Sequence, residues 1–326
     1  MHTSNELDFL LAAKEPWVRY NTLKFLLGKS ENESDVKEAK RDLLNHPQVT
    51  KLLNECIEWP DGPIKRHNDA AHLIHKIVLL SDFGLNKNDP LIPEIIAKIV
   101  SNRDPIGSFR SNLMIPKAFG GDGEPKLSWL LCDFPILFYA LLSFNIEPTE
   151  DIDRAADYLV SIVRENGWPC TGAIQGFRGP GKKTDFCPYA TMISLKALSL
   201  YPRHSRSEAV KNGVESLLTH WEKKGVEKHY LFGIGSDFMK LKYPNVWYDV
   251  LHYIDVLSRF TFATKDERFK EVLEALNSKQ GPDGGFKPES VWLAYKDWSF
   301  GQKKIVCPWV TYRVSLIKSR IKRNVT

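Results

Sequence analysis

Acids and thiols recur at one place in a repeating helical pattern. The starts of the more apolar helical segments, in chain order, carry Trp17 and Arg19, His67 and Asp69, Cys132 and Asp133, Asp185 and Cys187, Tyr248 and Asp249, then Cys307 and Trp309. Three of the five cysteines and four carboxylates therefore fall at equivalent positions. A helix start offers unpaired N–H groups and the positive end of the helix dipole, which favour anions and thiolates. Two carboxylates facing one cavity can serve as general acid and general base when burial raises one pKa and leaves the other group ionised. Asp133 and Asp249 are the candidate catalytic pair. Asp133 sits inside the apolar run Leu127–Phe144, where an unpaired charge is costly. The plainer alternative is helix N-capping, worth about 0.5–2 kcal/mol, and it applies to Asp69, Asp185 and Asp249. A cysteine on an apolar helix is most often packing.

A second group is basic. Gln175–Thr184, QGFRGPGKKT, nearly spells G-x-x-x-x-G-K-[ST], but Lys183 replaces the hydroxyl residue and no apolar strand precedes it, so a true phosphate-binding loop is not expected. Arg178, Lys182 and Lys183 nonetheless stand just before a helix start, which suits a phosphate or diphosphate head. A solvated basic loop is the alternative. Trp17, Arg19, Asp69, Tyr189 and Trp309 complete the candidate substrate-binding set. Aromatic faces can stabilise a cationic centre, or the rings fill wedges between helices. No local Ser-His-Asp signature and no Gly-rich dinucleotide fingerprint occurs.

Helices in pairs must position these groups. Pro16-Trp17-Val18-Arg19-Tyr20 near the start is echoed by Pro308-Trp309-Val310-Thr311-Tyr312 near the end. Between them a charged amphipathic segment (90–101, 151–165, 207–222, 265–279) alternates with a more apolar one (67–83, 129–144, 187–201, 246–262, 307–321). Turns rich in Gly, Pro and aromatics join them: WPDGPI, DPIGSF, NGWPC, HYLFGIG and GPDGGF. Segment 17–28, with a short partner at 6–13, makes the sixth pair. The charged type should lie outside and the apolar type inside. Strand signals are nearly absent. Six inner and six outer helices fit an all-α (α/α)6 toroid, formed as a single domain over residues 1–326. An open solenoid of the HEAT type is the competing geometry. The least periodic part, 103–126, reads as a long loop that carries or covers a site.

The 326 residues are 43% hydrophobic, as expected for a chain with a sizeable core. A net charge of +5 is too small to indicate a nucleic-acid protein. Five scattered cysteines are no disulfide framework, and the N-terminal segment lacks a basic leader, so a cytoplasmic protein without a transmembrane segment is expected.

Gln280-Gly281-Pro282-Asp283-Gly284-Gly285-Phe286 resembles the Gln-x-x-Asp-Gly-Gly-Phe turn of the terpenoid cyclase and protein prenyltransferase β-subunit superfamily, and Asn166-Gly167-Trp168 and Gly176-Phe177-Arg178-Gly179 look like weaker copies. WPDGPIKRHNDA, WLLCDFP and FRGPGKKTDFCPYA are similar to a bacterial and archaeal branch of such toroids. The resemblance implies an α/α toroid enzyme holding an isoprenoid-like, amphipathic substrate in a central cavity. The chain departs from cyclases in having no adjacent Asp pair where they use Asp-x-Asp-Asp. From prenyltransferases the resemblance implies a zinc ion at Asp185 and Cys187, with His252 or Asp249 in the third place; Asp185, Cys187 and His252 are the expected ligands, three with one position open. Two other readings remain: a non-catalytic helical-repeat module for a peptide or protein partner, and a carbohydrate-active (α/α)6 enzyme.

Overall fold

A computed structural model describes residues 4–325. It is all-α in class. Among the described residues there are thirteen α-helices: α1 Ser4–Leu11, α2 Pro16–Asn21, α3 Ser34–Asn45, α4 Pro47–Cys56, α5 Leu73–Asp82, α6 Ile92–Ser101, α7 Phe134–Ser143, α8 Glu150–Ser161, α9 Pro188–Leu198, α10 Glu208–Glu222, α11 Val250–Leu257, α12 Glu267–Asn277 and α13 Pro308–Val325. None is long and apolar enough to cross a membrane. The chain divides into two compact units, one comprising residues up to 53, 239–245 and from 249 onward, the other residues 54–238 and 246–248.

In the second unit α5 packs on α7, α7 on α9, and α9 on α10, which also touches α8. The two helix types expected from composition are both present. Every residue of α9 is buried, and α7 is buried continuously from Phe134 to Leu141. By contrast α8 buries only Ile152, Ala155, Ala156 and Leu159, a stripe at helical spacing. Each fully buried Leu, Ile or Phe contributes about 1.5–3 kcal/mol, so α7 and α9 supply much of this unit's cohesion. Lys196 is the exception on α9. Its ammonium lies 4.4 Å from the centroid of Tyr139 on α7, a cation–π contact that replaces water.

In the first unit α13 packs on α11, α2 and α1, and α2 also packs on α3. The echoing end segments are thus neighbours. The partner of α2 includes α3, which composition alone had not marked as part of a pair.

Segment 103–126 differs from the expected loop. It contains β1 Ser111–Met114, paired antiparallel with β2 Pro125–Ser128 in the register Ser111–Ser128 to Met114–Pro125. Ile64 joins β1 from the other side, giving its N–H to Asn112 O at 2.7 Å and taking that of Met114 at 3.0 Å. Four-residue strands give too short an alternation to be legible in sequence.

The repeat is visible at atomic level. In the second unit the Trp168 N–H donates to Thr191 Oγ1 at 3.0 Å and its carbonyl accepts from Cys187 N at 2.8 Å. In the first unit the Phe286 N–H donates to Thr311 Oγ1 at 3.0 Å and its carbonyl accepts from Cys307 N at 2.9 Å. The turn aromatic is therefore clipped twice to the start of the helix that follows, through a shared Cys-Pro-x-x-Thr sequence. The Asp-Gly-Gly turn shows why its glycines recur. Gly284 has φ +80°, and a Cβ on Gly285 would meet Val306 Cγ1 at 2.3 Å.

Candidate functional site

A pocket of about 500 Å³ lies within the second unit. Its apolar wall includes Ile115, Phe119, Phe177, Tyr189, Phe232 and Trp247; Lys65, Arg66 and Arg178 are its cations; and His67, Cys132, Cys170 and Cys187 carry its reactive groups. These residues come from eight separate stretches of chain, and backbone hydrogen bonds explain how several of them meet.

The segment before α7 is laced to the turn before α9. Leu131 N donates to Thr171 O at 3.0 Å and Ala173 N to Trp129 O at 3.0 Å. No side chain fits at Gly172, where a Cβ would lie 2.1 Å from Leu130 Cδ2 and 2.5 Å from Trp129 O. With Trp168 already clipped to Cys187, this lacing draws Cys132, Cys170 and Cys187 together. Arg178 is fixed by a second crossing. Its N–H donates to Phe119 O at 3.0 Å and its Nε to Ala118 O at 3.3 Å. Beside that crossing Gly120, at φ +83°, is pressed against the Gly176 carbonyl, leaving no room for a Cβ.

One edge of the pocket is an unusual turn. Tyr230 and Leu231 both have positive φ, +48° and +66°, a conformation that costs non-glycine residues of order 1 kcal/mol or more. Tyr230 is held in place: its hydroxyl donates to Lys182 O at 3.0 Å, and its ring covers Gly179 and Gly181, where a Cβ would clash with it. Leu231 is left 76% exposed although it also lines the pocket.

His67 is the best-anchored polar group. Its Nδ1 lies 2.8 Å from Asp133 Oδ1, and its carbonyl accepts from Nε2 of His75, on α5, at 2.8 Å. Nδ1 is engaged with the carboxylate, and Nε2 makes no hydrogen bond among the described residues. Burial pushes the His67 pKa down, but the charge and hydrogen bond of Asp133, with a further contribution from Cys187, outweigh it and raise the value above the ordinary one. Asp133 is 1% exposed and stands at the N-cap position of α7 without capping it. Its Oδ2 has no hydrogen-bond partner among the described residues. The carboxylate thus serves the imidazole rather than the helix.

Cys132, Cys170 and Cys187 all line the pocket. Cys187 Sγ, at the N-cap of α9, accepts from Ala190 N at 3.5 Å. The thiols of Cys132 and Cys170 hold Cys187 well below the ordinary thiol range, against burial and with help from the Ala190 and Tyr189 N–H groups. Cys132 is pushed up by its hydrogen bonds to Cys170 and Cys187 and by burial. Tyr189 is oriented by donating its hydroxyl to Val246 O at 3.0 Å and by lying 4.4 Å from the Trp247 ring.

The expected site residues separate into two groups. Arg178, Cys187 and Tyr189 line the pocket. Asp133 supports it from behind His67. Lys182 and Lys183 are exposed and use their carbonyls to hold Tyr230 and Arg164. Asp69 makes a local turn, accepting from Ala71 N at 3.0 Å. In the first unit, Asp249 caps α11 by accepting from His252 N at 2.9 Å. Arg19 pairs with Asp42 at 3.5 Å. Trp17 packs edge-on to His46 and against Trp298, while Trp309 stacks on Tyr312, each ring nearly fully buried.

Of the expected zinc set, Asp185 and Cys187 belong to the second unit and His252 to the first. Asp185 Oδ2 turns back to its own loop, accepting from Lys182 N at 3.2 Å, and the neighbours of Cys187 are thiols. Among the described residues no three His, Cys, Asp or Glu groups are placed to hold a metal ion.

His67, Cys170, Lys65 and Arg66 are the pocket groups that sequence reasoning did not select. His67 and Cys132 stood among the helix starts, so position had flagged them. Cys170 lies in a turn, and only the lacing of 129–131 with 171–173 brings it in.

No family model matches the chain, and no curated protein matches it. Among solved structures it is similar to a variant of the type II terpene cyclase MstE from Scytonema with its substrate, geranylgeranyl dihydroxybenzoate, at 13% identity and a TM-score of 0.44, covering 98% of this chain and 96% of that one. A variant holding the product merosterolic acid A gives 14%, 0.44, 98% and 96%. The apo enzyme gives 14%, 0.42, 97% and 96%.

Proposed function

We propose that the protein is an enzyme that takes an isoprenoid-type amphipathic substrate into the pocket of the second unit. The observation that supports this reading most is the pocket's division of labour. Aromatic and aliphatic side chains make most of the wall, and three cations share the lining with them. An anionic head, such as a diphosphate, would meet Arg178, Lys65 and Arg66, where guanidinium groups can form paired charge-assisted hydrogen bonds. The hydrocarbon part would lie against Phe119, Phe177, Phe232 and Trp247, and ring faces there suit a developing cation.

Proton transfer falls to His67 in this reading. Asp133 fixes its tautomer and orientation through Nδ1, which leaves Nε2 to exchange a proton with substrate. That replaces the pairing of Asp133 with Asp249 by a His–Asp couple, because Asp249 is engaged as a helix cap.

Purified protein offered farnesyl and geranylgeranyl diphosphate tests the reading. Saturable binding and a converted product are expected. Arg178→Ala should weaken binding about tenfold or more, the loss of a hydrogen bond to a charged group. His67→Gln should cut turnover about 10²-fold with binding retained. Absence of both binding and conversion across isoprenoid diphosphates would remove the proposal.

A further inference from the structure

The thiols ask for an explanation that proton transfer at His67 does not supply. Cys187 lines one pocket together with Cys132 and Cys170. The repeat provides an internal comparison. Cys307 occupies the equivalent place before α13, clipped to Phe286 as Cys187 is to Trp168, and its Sγ donates to Ser299 Oγ at 3.8 Å. Burial pushes that thiol up to about 11. Helix start and repeat position are shared, so what distinguishes Cys187 is the pocket it lines together with Cys132 and Cys170. A thiol that accepts a helix-start N–H and shares a pocket with a second thiol is the arrangement in which oxidation can be resolved as a disulfide.

We propose that Cys187 is the nucleophile of a dithiol centre that reduces an organic hydroperoxide in this pocket, with Cys170 as the resolving thiol and His67 as the proton donor. The Cys187 thiolate attacks the outer peroxide oxygen. The S–O bond forms as the O–O bond breaks, and the departing alkoxide takes the proton from His67 Nε2. Cys187 is left as a sulfenic acid and the substrate as an alcohol. The Cys170 sulfur then attacks the sulfenic sulfur, an S–S bond forms, and the hydroxyl leaves as water with the Cys170 proton. Two electrons pass from the thiols to the peroxide. An external dithiol restores both cysteines by exchange.

Two features favour a hydroperoxide over a disulfide as oxidant. Cys187 is 3% exposed, so a bulky protein disulfide cannot approach, whereas an O–O bond on an apolar body fits the cavity. An alkoxide leaving group needs a proton, which the His67–Asp133 couple is placed to give. A thiolate leaving group would need none. Cys170 is chosen as the resolving group because it is the most exposed of the three and sits in a turn, where a small movement can complete an S–S bond. This inference stands on the thiols and does not require the isoprenoid reading.

The test uses full-length reduced protein and cumene hydroperoxide. One equivalent should consume two thiols, and peptide mass mapping should show a Cys187–Cys170 disulfide. Cys170→Ser should stop at a sulfenic acid on Cys187 that dimedone traps. His67→Asn should slow oxidation about 10²-fold. Cys187→Ser should abolish it while leaving the melting curve near wild type, since Ser is a favourable N-cap. The alkylation rates of Cys187 and Cys307 in one wild-type sample need no variant at all. Equal rates would overturn the proposal, as would oxidation that spares Cys187. One equivalent of tightly bound metal released by thiol alkylation would overturn it too, since the sulfurs would then be ligands. Neither result would affect diphosphate binding.

Discussion

The carboxylate of Asp133, which the sequence offers as one of a catalytic pair, is engaged with an imidazole. It stands at the N-cap position of α7 without capping it, and its Oδ1 is 2.8 Å from His67 Nδ1. A charge buried to this degree is tolerated only with such a partner. Asp133→Asn removes the charge and keeps the shape. The His67 pKa, followed by NMR titration, should then fall below its ordinary value, because burial is no longer opposed. The sign for stability follows. A histidine whose folded pKa lies above its unfolded one adds stability that is complete below about 6.5 and is lost as pH rises through the folded value. Wild type should therefore exceed Asp133→Asn most at acidic pH, by about 1.5–3 kcal/mol for a charged hydrogen bond, with the gap closing as pH rises.

Between elements, the double clip is the recurring device. Thr191 and Thr311 each accept a buried backbone N–H from the turn that precedes their helix. Replacing either by Val keeps the volume but strands that N–H, so each variant should lose about 1–3 kcal/mol in denaturant unfolding. The inter-helix fit is equally specific at Gly213 on α10, where a Cβ would lie 2.4 Å from Trp168 Cζ3. Gly213→Ala gains about 0.8–1 kcal/mol of helix propensity, yet overpacking against a fully buried Trp should give a net loss of about 1–3 kcal/mol. These elements also show what a sequence can and cannot reveal. The alternation of charged and apolar helices was legible because it depends on spacing within twenty residues. The hairpin at 111–128 was not, since four-residue strands leave too little alternation. Nor was Cys170, which reaches the site only through pairing of distant turns. Asp249 and Trp309 shared the right position in the repeat, but position does not say whether a neighbouring side chain or a cavity takes up the group.

For the whole molecule, buried neutral histidines set the acid limit. Burial pushes His75 and His220 down to about 4. Unfolding lets both take up protons below about 6.5, so the unfolded chain binds more protons and stability rises with pH across the window from about 4 to 6.5. Each group contributes at most about 3 kcal/mol over that window. Equilibrium unfolding at pH 7 and at pH 4.5 should show the difference, and His220→Phe should reduce it.

The pocket's role as a binding site for an anionic amphiphile is tested most directly by titrating the protein with geranylgeranyl diphosphate while following tryptophan fluorescence. Trp247 stands on the pocket wall against Tyr189, so filling the pocket must change its surroundings. A saturable change is expected that disappears in Trp247→Phe and shifts to about tenfold higher ligand concentration in Arg178→Ala. A titration that is flat, or equally strong in Trp247→Phe, would contradict the assignment of this pocket.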